Sequence, residues 1–179
     1  LVRYGKADVA YKLLLQKGLP SWQYYFEVGL TEPPEGWGSV VPNREGSVFD
    51  GSRFNVFDVF APIPQWFYQN IGGIQPDPEN PGFKHVIVKP QIGGNLSCAE
   101  TSYNSINGEI RTHWWIEDPD SPDENILHFH VTIPINTTAD IYIPGEDLSL
   151  ILEGDDANEG LAHLAQGVTD WSEVEKNLY

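Results

Sequence analysis

The 179-residue chain sets ten Lys and Arg against twenty-six Asp and Glu, a formal net charge of −16. So little basic surface excludes nucleic acid and anionic membranes as partners, because both are held by clustered positive charge. A single cysteine, Cys98, excludes an internal disulfide, and no apolar run reaches the ~20 residues of a membrane span. With 40% hydrophobic residues the chain has what it needs to bury a core, and neutral ligands suit its charge.

Taken in order, residues 1–75 read as helical and aromatic. Ala7, Ala10, Tyr11 and Leu14 fall at i, i+3, i+4 and i+7, the spacing of one buried helix face. Gly18 and Pro20 stop that helix, and Ser21 caps a short one carrying Trp22, Tyr24, Tyr25 and Phe26. Residues 29–53 form a long connection with few apolar side chains. A third helix is expected to begin near Asp58 or Phe60, with Ile63, Trp66, Phe67, Asn70 and Ile71 on one face. Pro62 and Pro64 belong in its first turn, where a missing N–H costs little, and Gly72-Gly73 ends it.

Beyond the rigid connector 76–82 the apolar period switches from helical to alternating. Residues 85–89 read as a strand. Asn107-Gly108 signals a hairpin that pairs Tyr103 with Thr112, Thr101 with Trp114 and Ala99 with Ile116. The next hairpin, across the acidic loop 118–125, sets Trp114 opposite Phe129 and Ile116 opposite Leu127. Both registers place Ile110, Thr112, Trp114 and Ile116 on the apolar face of one strand, and that agreement is informative because a one-residue slip would reverse it. Ala139, Ile141 and Ile143 continue the alternation. This half is expected to be an antiparallel sheet within a β-sandwich. Farther on, 148–152 reads as a strand and 155–166 as weakly helical. Leu1 is not an initiator methionine and no closing element follows Trp171, so truncation at both ends is expected.

The chemistry concentrates in the loop 29–37. Glu32 and Glu35 lie three residues apart, Pro33-Pro34 stiffens the backbone between them, and Trp37 follows. Fixed carboxylates beside flat apolar rings suit a sugar site, although a solvated surface turn fits the same residues. An inverting glycosidase needs an acid and a base roughly 6.5–9.5 Å apart. Glu32 and Glu35 are too close in sequence to fill both roles, so one acts with a partner from elsewhere. His113, His128, His130, Arg111 and Glu117 share the polar face of the sheet, with His113 opposite His130. That pair could accept zinc, but a solvent-facing or packed role is the simpler reading. Cys98 reads as a buried or inert thiol. The sequence holds no Gly-rich phosphate loop and no Ser nucleophile elbow, and no cofactor is expected.

Two stretches, 4–11 and 17–22, resemble the late barrel helices of bacterial α-L-rhamnosidases of glycoside hydrolase family 78. So do 65–68, the block Gly72-Gly73-Ile74-Gln75-Pro76-Asp77-Pro78-Glu79-Asn80-Pro81-Gly82-Phe83-Lys84-His85, and the strand run 132–139. The resemblance implies an α-plus-β multidomain fragment. Residues 1–75 would be the last helices of an α/α six-hairpin toroid with its catalytic-base loop, and 76–179 a C-terminal antiparallel β-sandwich. It also implies hydrolysis of terminal α-L-rhamnosyl residues with inversion, on a rhamnose-containing oligosaccharide or glycoside. Of the compartments, a secreted or periplasmic setting is favoured over a cytoplasmic one.

The family's loop reads Ala-Thr-Thr, an apolar residue, Trp, Glu, Arg, Trp. Laid on Gly29, it matches Thr31, makes Glu35 the general base and matches Trp37. Glu32 stands for the second Thr, Pro34 for the first Trp and Gly36 for the Arg, and the family's Asn-His-Tyr is Asn55-Val56-Phe57 here. Glu32, Trp37, Trp22, Tyr24 and Arg53 are the expected sugar contacts. The general acid is expected upstream of Leu1, in the remainder of the barrel, which the chain would need as a partner. The alternatives are a non-catalytic carbohydrate-binding or structural fragment, and a related barrel glycosidase with another sugar specificity.

Overall fold

A computed structural model describes residues 1–19, 21–29, 62–117, 120, 126–144, 150–154 and 160–161. After a 3₁₀ turn at Val2–Tyr4, helix α1 (Ala7–Leu15) buries Tyr11 and half-buries Ala7, Ala10 and Leu14, the face given by the 3.6 period. Ser21 starts α2 (Trp22–Glu27) by accepting a hydrogen bond on Oγ from the Tyr24 N–H at 3.0 Å. That bond satisfies one of the donors a helix start leaves open. Helix α3 (Ile63–Trp66) carries Pro62 and Pro64 in its first turn, as expected. It then widens into a π turn over Phe67–Ile71, closed by a bond from Gly72 N to Phe67 O.

The strands are β1 (Ile74–Pro76), β2 (His85–Val88), β3 (Cys98–Ser105), β4 (Gly108–Glu117), β5 (Ile126–Thr132) and β6 (Thr138–Ile141). They form two three-stranded sheets, ordered β1-β2-β6 and β3-β4-β5. The sheets face each other across one core. Ile74, Val86, Val88 and Ala139 come from the first, and Ile110, Phe129 and Val131 from the second, with Phe83 beside them. This is the two-layer solution a sheet with one apolar face requires.

The register of β4 against β5 is the expected one, Trp114 opposite Phe129, Ile116 opposite Leu127 and His113 opposite His130. The register of β3 against β4 is displaced by two. Tyr103 faces Ile110, Thr101 faces Thr112 and Ala99 faces Trp114. The reason is local. Ser105 pairs with Gly108, so the turn is Ile106-Asn107 and the glycine opens the returning strand at φ 130°. Ser105 Oγ holds that turn, donating to Gly108 O at 2.7 Å and accepting from Asn107 N at 3.1 Å. A displacement by two preserves the faces, so Ile110, Thr112 and Trp114 are still buried. One pairing is parallel rather than antiparallel, β6 beside β2. The chain leaves β2, builds the facing sheet and returns, and after so long a crossover nothing forces the reversed direction a hairpin would impose. Cys98, at the start of β3, is exposed rather than buried.

Leu1–Ile141 is one compact unit in which helices and sheets are packed together. Tyr11 ties α1 to the segment after β2. Its hydroxyl donates to Gln91 O at 2.5 Å, and its ring stands edge-on to Trp66 at 5.3 Å. The same ring lies on Gly93 and Gly94, where a Cβ on Gly94 would overlap it. Burial pushes the Tyr11 phenol up to about 12. The second unit, Tyr142–Tyr179, contributes β7 (Leu152–Glu153) paired antiparallel with β8 (Gly160–Leu161). Gly160 and Leu161 are therefore extended where a weak helix was expected; two residues that pair across a ladder have their backbone groups committed to it.

Candidate active site and its supports

Of the expected site residues, Glu32, Glu35, Trp37 and Arg53 lie outside the described residues, as does the expected start of the third helix at Asp58 or Phe60. Trp22 and Tyr24 are described, and both are half-buried on α2. Two residues apart, they point roughly 200° away from each other around a helix of 3.6 residues per turn. Accordingly only Trp22 of the two lines a depression of about 430 Å³. Its other walls are Pro62, Ile63, Gln65, Trp66, Gln69 and Asn70. Two indoles supply apolar faces and three carboxamides supply donors and acceptors without charge, a lining suited to a neutral hydroxylated ligand. Gln65 and Gln69 were not singled out from sequence. The available signal was their i, i+4 spacing on the helix that carries Trp66.

The carboxyl end of α3 is held in an unusual way. The final carbonyls of a helix have no partner within it and generally turn to water or to a glycine cap. Here the last three helix carbonyls, and those of Gly72 and Gly73 just beyond, are taken by residues of the sheets and the segment that follows β2. Gln69 O accepts from Gln75 Nε2 at 2.9 Å, and Asn70 O from Gln91 N at 2.7 Å. Ile71 O accepts from Trp114 Nε1 at 2.9 Å, Gly72 O from Thr112 Oγ1 at 2.7 Å, and Gly73 O from Lys89 N at 2.9 Å. Trp114 and Thr112 are both 0% exposed. A Cβ at Gly72 would overlap the Thr101 side chain, and one at Gly73 the Lys89–Pro90 backbone. The Gly-Gly pair thus lets the helix end press directly onto the sheet.

The connector after β1 is fixed by Asp77, which accepts from Glu79 N at 2.9 Å and from Asn80 Nδ2 at 2.6 Å. Those bonds, the Asn80 one foremost, hold its carboxyl below the usual range. The polar face of β4 and β5 is as expected in membership. His128 stacks on Trp115 with ring centres 4.5 Å apart, and His113 lies against Trp115 at 4.8 Å. His128 Nε2 lies 2.9 Å from Glu117 Oε2, and Arg111 pairs with Glu100. The imidazoles are thus spent on packing against an indole, and among the described residues no group of three or more His, Cys, Asp or Glu is placed to hold a metal. Trp115 is thus in ring contact with His113, His128 and His130.

Comparison with known proteins places this geometry. Residues 73–157 match the family described as the bacterial alpha-L-rhamnosidase C-terminal domain. An alpha-L-rhamnosidase of Streptomyces avermitilis is 32% identical over 144 residues, 79% of this chain and 13% of that protein. One from an Alteromonas species is 32% identical over 155 residues, 87% of this chain and 16% of that protein. Among solved structures, the Streptomyces avermitilis alpha-L-rhamnosidase complexed with L-rhamnose superposes with a TM-score of 0.71 at 30% identity, over 83% of this chain and 14% of that one. The alpha-L-rhamnosidase from Dictyoglumus thermophilum gives 0.73 at 26% identity, over 96% and 17%. The chain therefore spans less than a fifth of these relatives.

Proposed function

Because the chain shares its sequence and fold with the C-terminal region of alpha-L-rhamnosidases, we propose that it supplies one half of the catalytic pair of an inverting α-L-rhamnosidase. In this reading residues 1–75 are the closing helices of an α/α barrel with its base loop, and 76–179 are the β-sandwich that follows. Glu35 is the general base, taking a proton from the water that attacks the anomeric carbon as the glycosidic bond breaks. The general acid that protonates the leaving oxygen comes from the preceding part of the barrel. Trp37, Trp22, Tyr24, Glu32 and Arg53 contact or wall the sugar. The substrate is a glycoside or polysaccharide ending in α-L-rhamnose.

The observation that carries this reading is the likeness itself, which runs through the helices ahead of the sandwich and not through the sandwich alone: it covers 83% of the chain in a structure solved with L-rhamnose. Helix α1 adds to it. Beside its exposed Asp8–Lys12 pair it leaves Val9, Leu13 and Leu15 exposed, apolar surface that neighbouring barrel helices would cover. A non-catalytic carbohydrate-binding fragment is the second reading, favoured by Glu32, Pro34 and Gly36 in place of the family's residues and by Asn55-Val56-Phe57 in place of Asn-His-Tyr. Glu35→Gln in the full-length enzyme separates them. The first reading expects rhamnoside turnover to fall by about 10²–10⁴ with KM little changed, as loss of a general base does. Near-normal turnover by the folded variant removes Glu35 from the mechanism.

A further inference from the structure

We propose that a second saccharide-binding site lies at the seam between the π turn and β3, where it holds one residue of a neutral glycan chain. A depression of about 240 Å³ there is lined by Phe67, Tyr68, Glu100, Thr101 and Ser102. It shares no lining residue with the hollow that Trp22 borders. The site goes beyond the proposed function and leans on that reading only for the choice of sugar. Its ligand class is set by the lining itself.

Tyr68 supplies a flat apolar face. It is 41% exposed, and among the described residues its ring contact is an edge-on one with Tyr103, centroids 6.2 Å apart. Tyr103 in turn packs on Phe83 at 4.8 Å, so a row of rings braces Tyr68. Phe67 is braced by Trp66 at 6.1 Å. An aromatic ring already held in place gives up little freedom when a sugar stacks on it. The remaining lining is polar. Among the described residues β3 is the outer strand of its sheet, so its outward backbone groups have no ladder partner there. The Thr101 and Ser102 hydroxyls add donors and acceptors, with Ser102 Oγ oriented by donating to Glu109 Oε1 at 2.6 Å. Arg111 pairs with Glu100, so the wall carries little net charge. An anion would meet the Glu100 and Glu109 carboxylates, and a metal ion would find a single lining carboxylate that is already paired. A wholly apolar ligand would leave the polar groups without partners. What suits the site is a neutral polyol with one apolar face, as a pyranose has. The volume falls below the roughly 300–1,000 Å³ of clefts that take drug-sized molecules, which limits it to one residue of a chain.

The test uses the full-length enzyme and a neutral α-L-rhamnan as probe. Tyr68→Ala deletes the ring, and Ser102→Trp fills the depression from an exposed position, so one variant serves if the other fails to fold. Affinity electrophoresis in gels containing the rhamnan reads binding without turnover. Wild type should be retarded with a Kd on the order of millimolar in sugar residues, as a single open subsite allows. Both variants should bind about fivefold more weakly, the loss of roughly one stacking contact. Kinetics give a second reading. KM for the rhamnan should rise about threefold to fivefold with kcat unchanged, while both constants on a small aryl α-L-rhamnoside stay within about twofold of wild type. Folded variants that match wild type in the gel and on the rhamnan overturn the inference. So does an equal loss on the aryl rhamnoside, because a separate site would not touch a substrate that fills only the catalytic one. A wild-type enzyme without any rhamnoside turnover sinks the proposed function, and the gel comparison still decides this site.

Discussion

Tyr11 offers a perturbation whose two parts can be separated. Its ring and its hydroxyl do different things: the ring packs on Gly93, Gly94 and Trp66, and the hydroxyl donates to Gln91 O across 80 residues of sequence. The residue is 2% exposed, so neither contact is replaced freely by water. Tyr11→Phe removes only the donor and leaves a carbonyl without its partner, which should cost about 1–2 kcal/mol. Tyr11→Ala removes the ring as well and should cost about 3–5 kcal/mol. Urea denaturation followed by tryptophan fluorescence reads both values. Alkali gives an independent check. Burial raises the folded-state pKa to about 12, above the roughly 10 of an exposed phenol. The stabilisation is then fully present below pH 10 and lost as pH climbs from 10 to 12, because the unfolded chain gives up its proton first. Tyr11→Phe should flatten that loss, with the remainder carried by Tyr25, which burial also raises to about 12. A Phe variant as stable as wild type, with an unchanged alkaline curve, would refute the argument.

Two further expectations follow from the same core. Gly94 sits at φ 65° with its missing Cβ aimed into the Tyr11 ring, so Gly94→Ala should destabilise by about 2 kcal/mol or more in the same urea assay. Asp77 has its folded-state pKa lowered by Asn80 and Glu79, so its contribution is present above about pH 4 and disappears as pH falls through the folded value. Asp77→Asn should therefore shallow the acid limb of the stability curve while leaving the alkaline limb unchanged.

What the sequence made legible follows the range of each interaction. The faces of α1 and α3, the Ser21 cap and the β4–β5 register are set by neighbours a few residues away or by a repeating pattern, and all four were readable. The β3–β4 register was misread by two because Asn107-Gly108 advertises a two-residue turn, while Ser105 draws the turn one residue earlier. The parallel β6 depends on a crossover that no local pattern records. Thr112 and Trp114 were recognised as buried but not as caps. A hydroxyl and an indole N–H facing a core look orphaned until the carbonyls some forty residues upstream are brought to them. The hollow beside Trp22 was half visible, since its indoles stood out and its carboxamides did not.

The parallel ladder between β2 and β6 bears on how the unit assembles. His85 and Thr138 are partners 53 residues apart, so this edge is sealed only after the whole facing sheet has been made. Until then β2 presents one row of open amides and carbonyls, the sort of edge along which nascent chains stick to one another. A ribosome-stalled product ending before β6 should be the aggregation-prone species, and supplying the missing strand as a peptide would be the direct remedy.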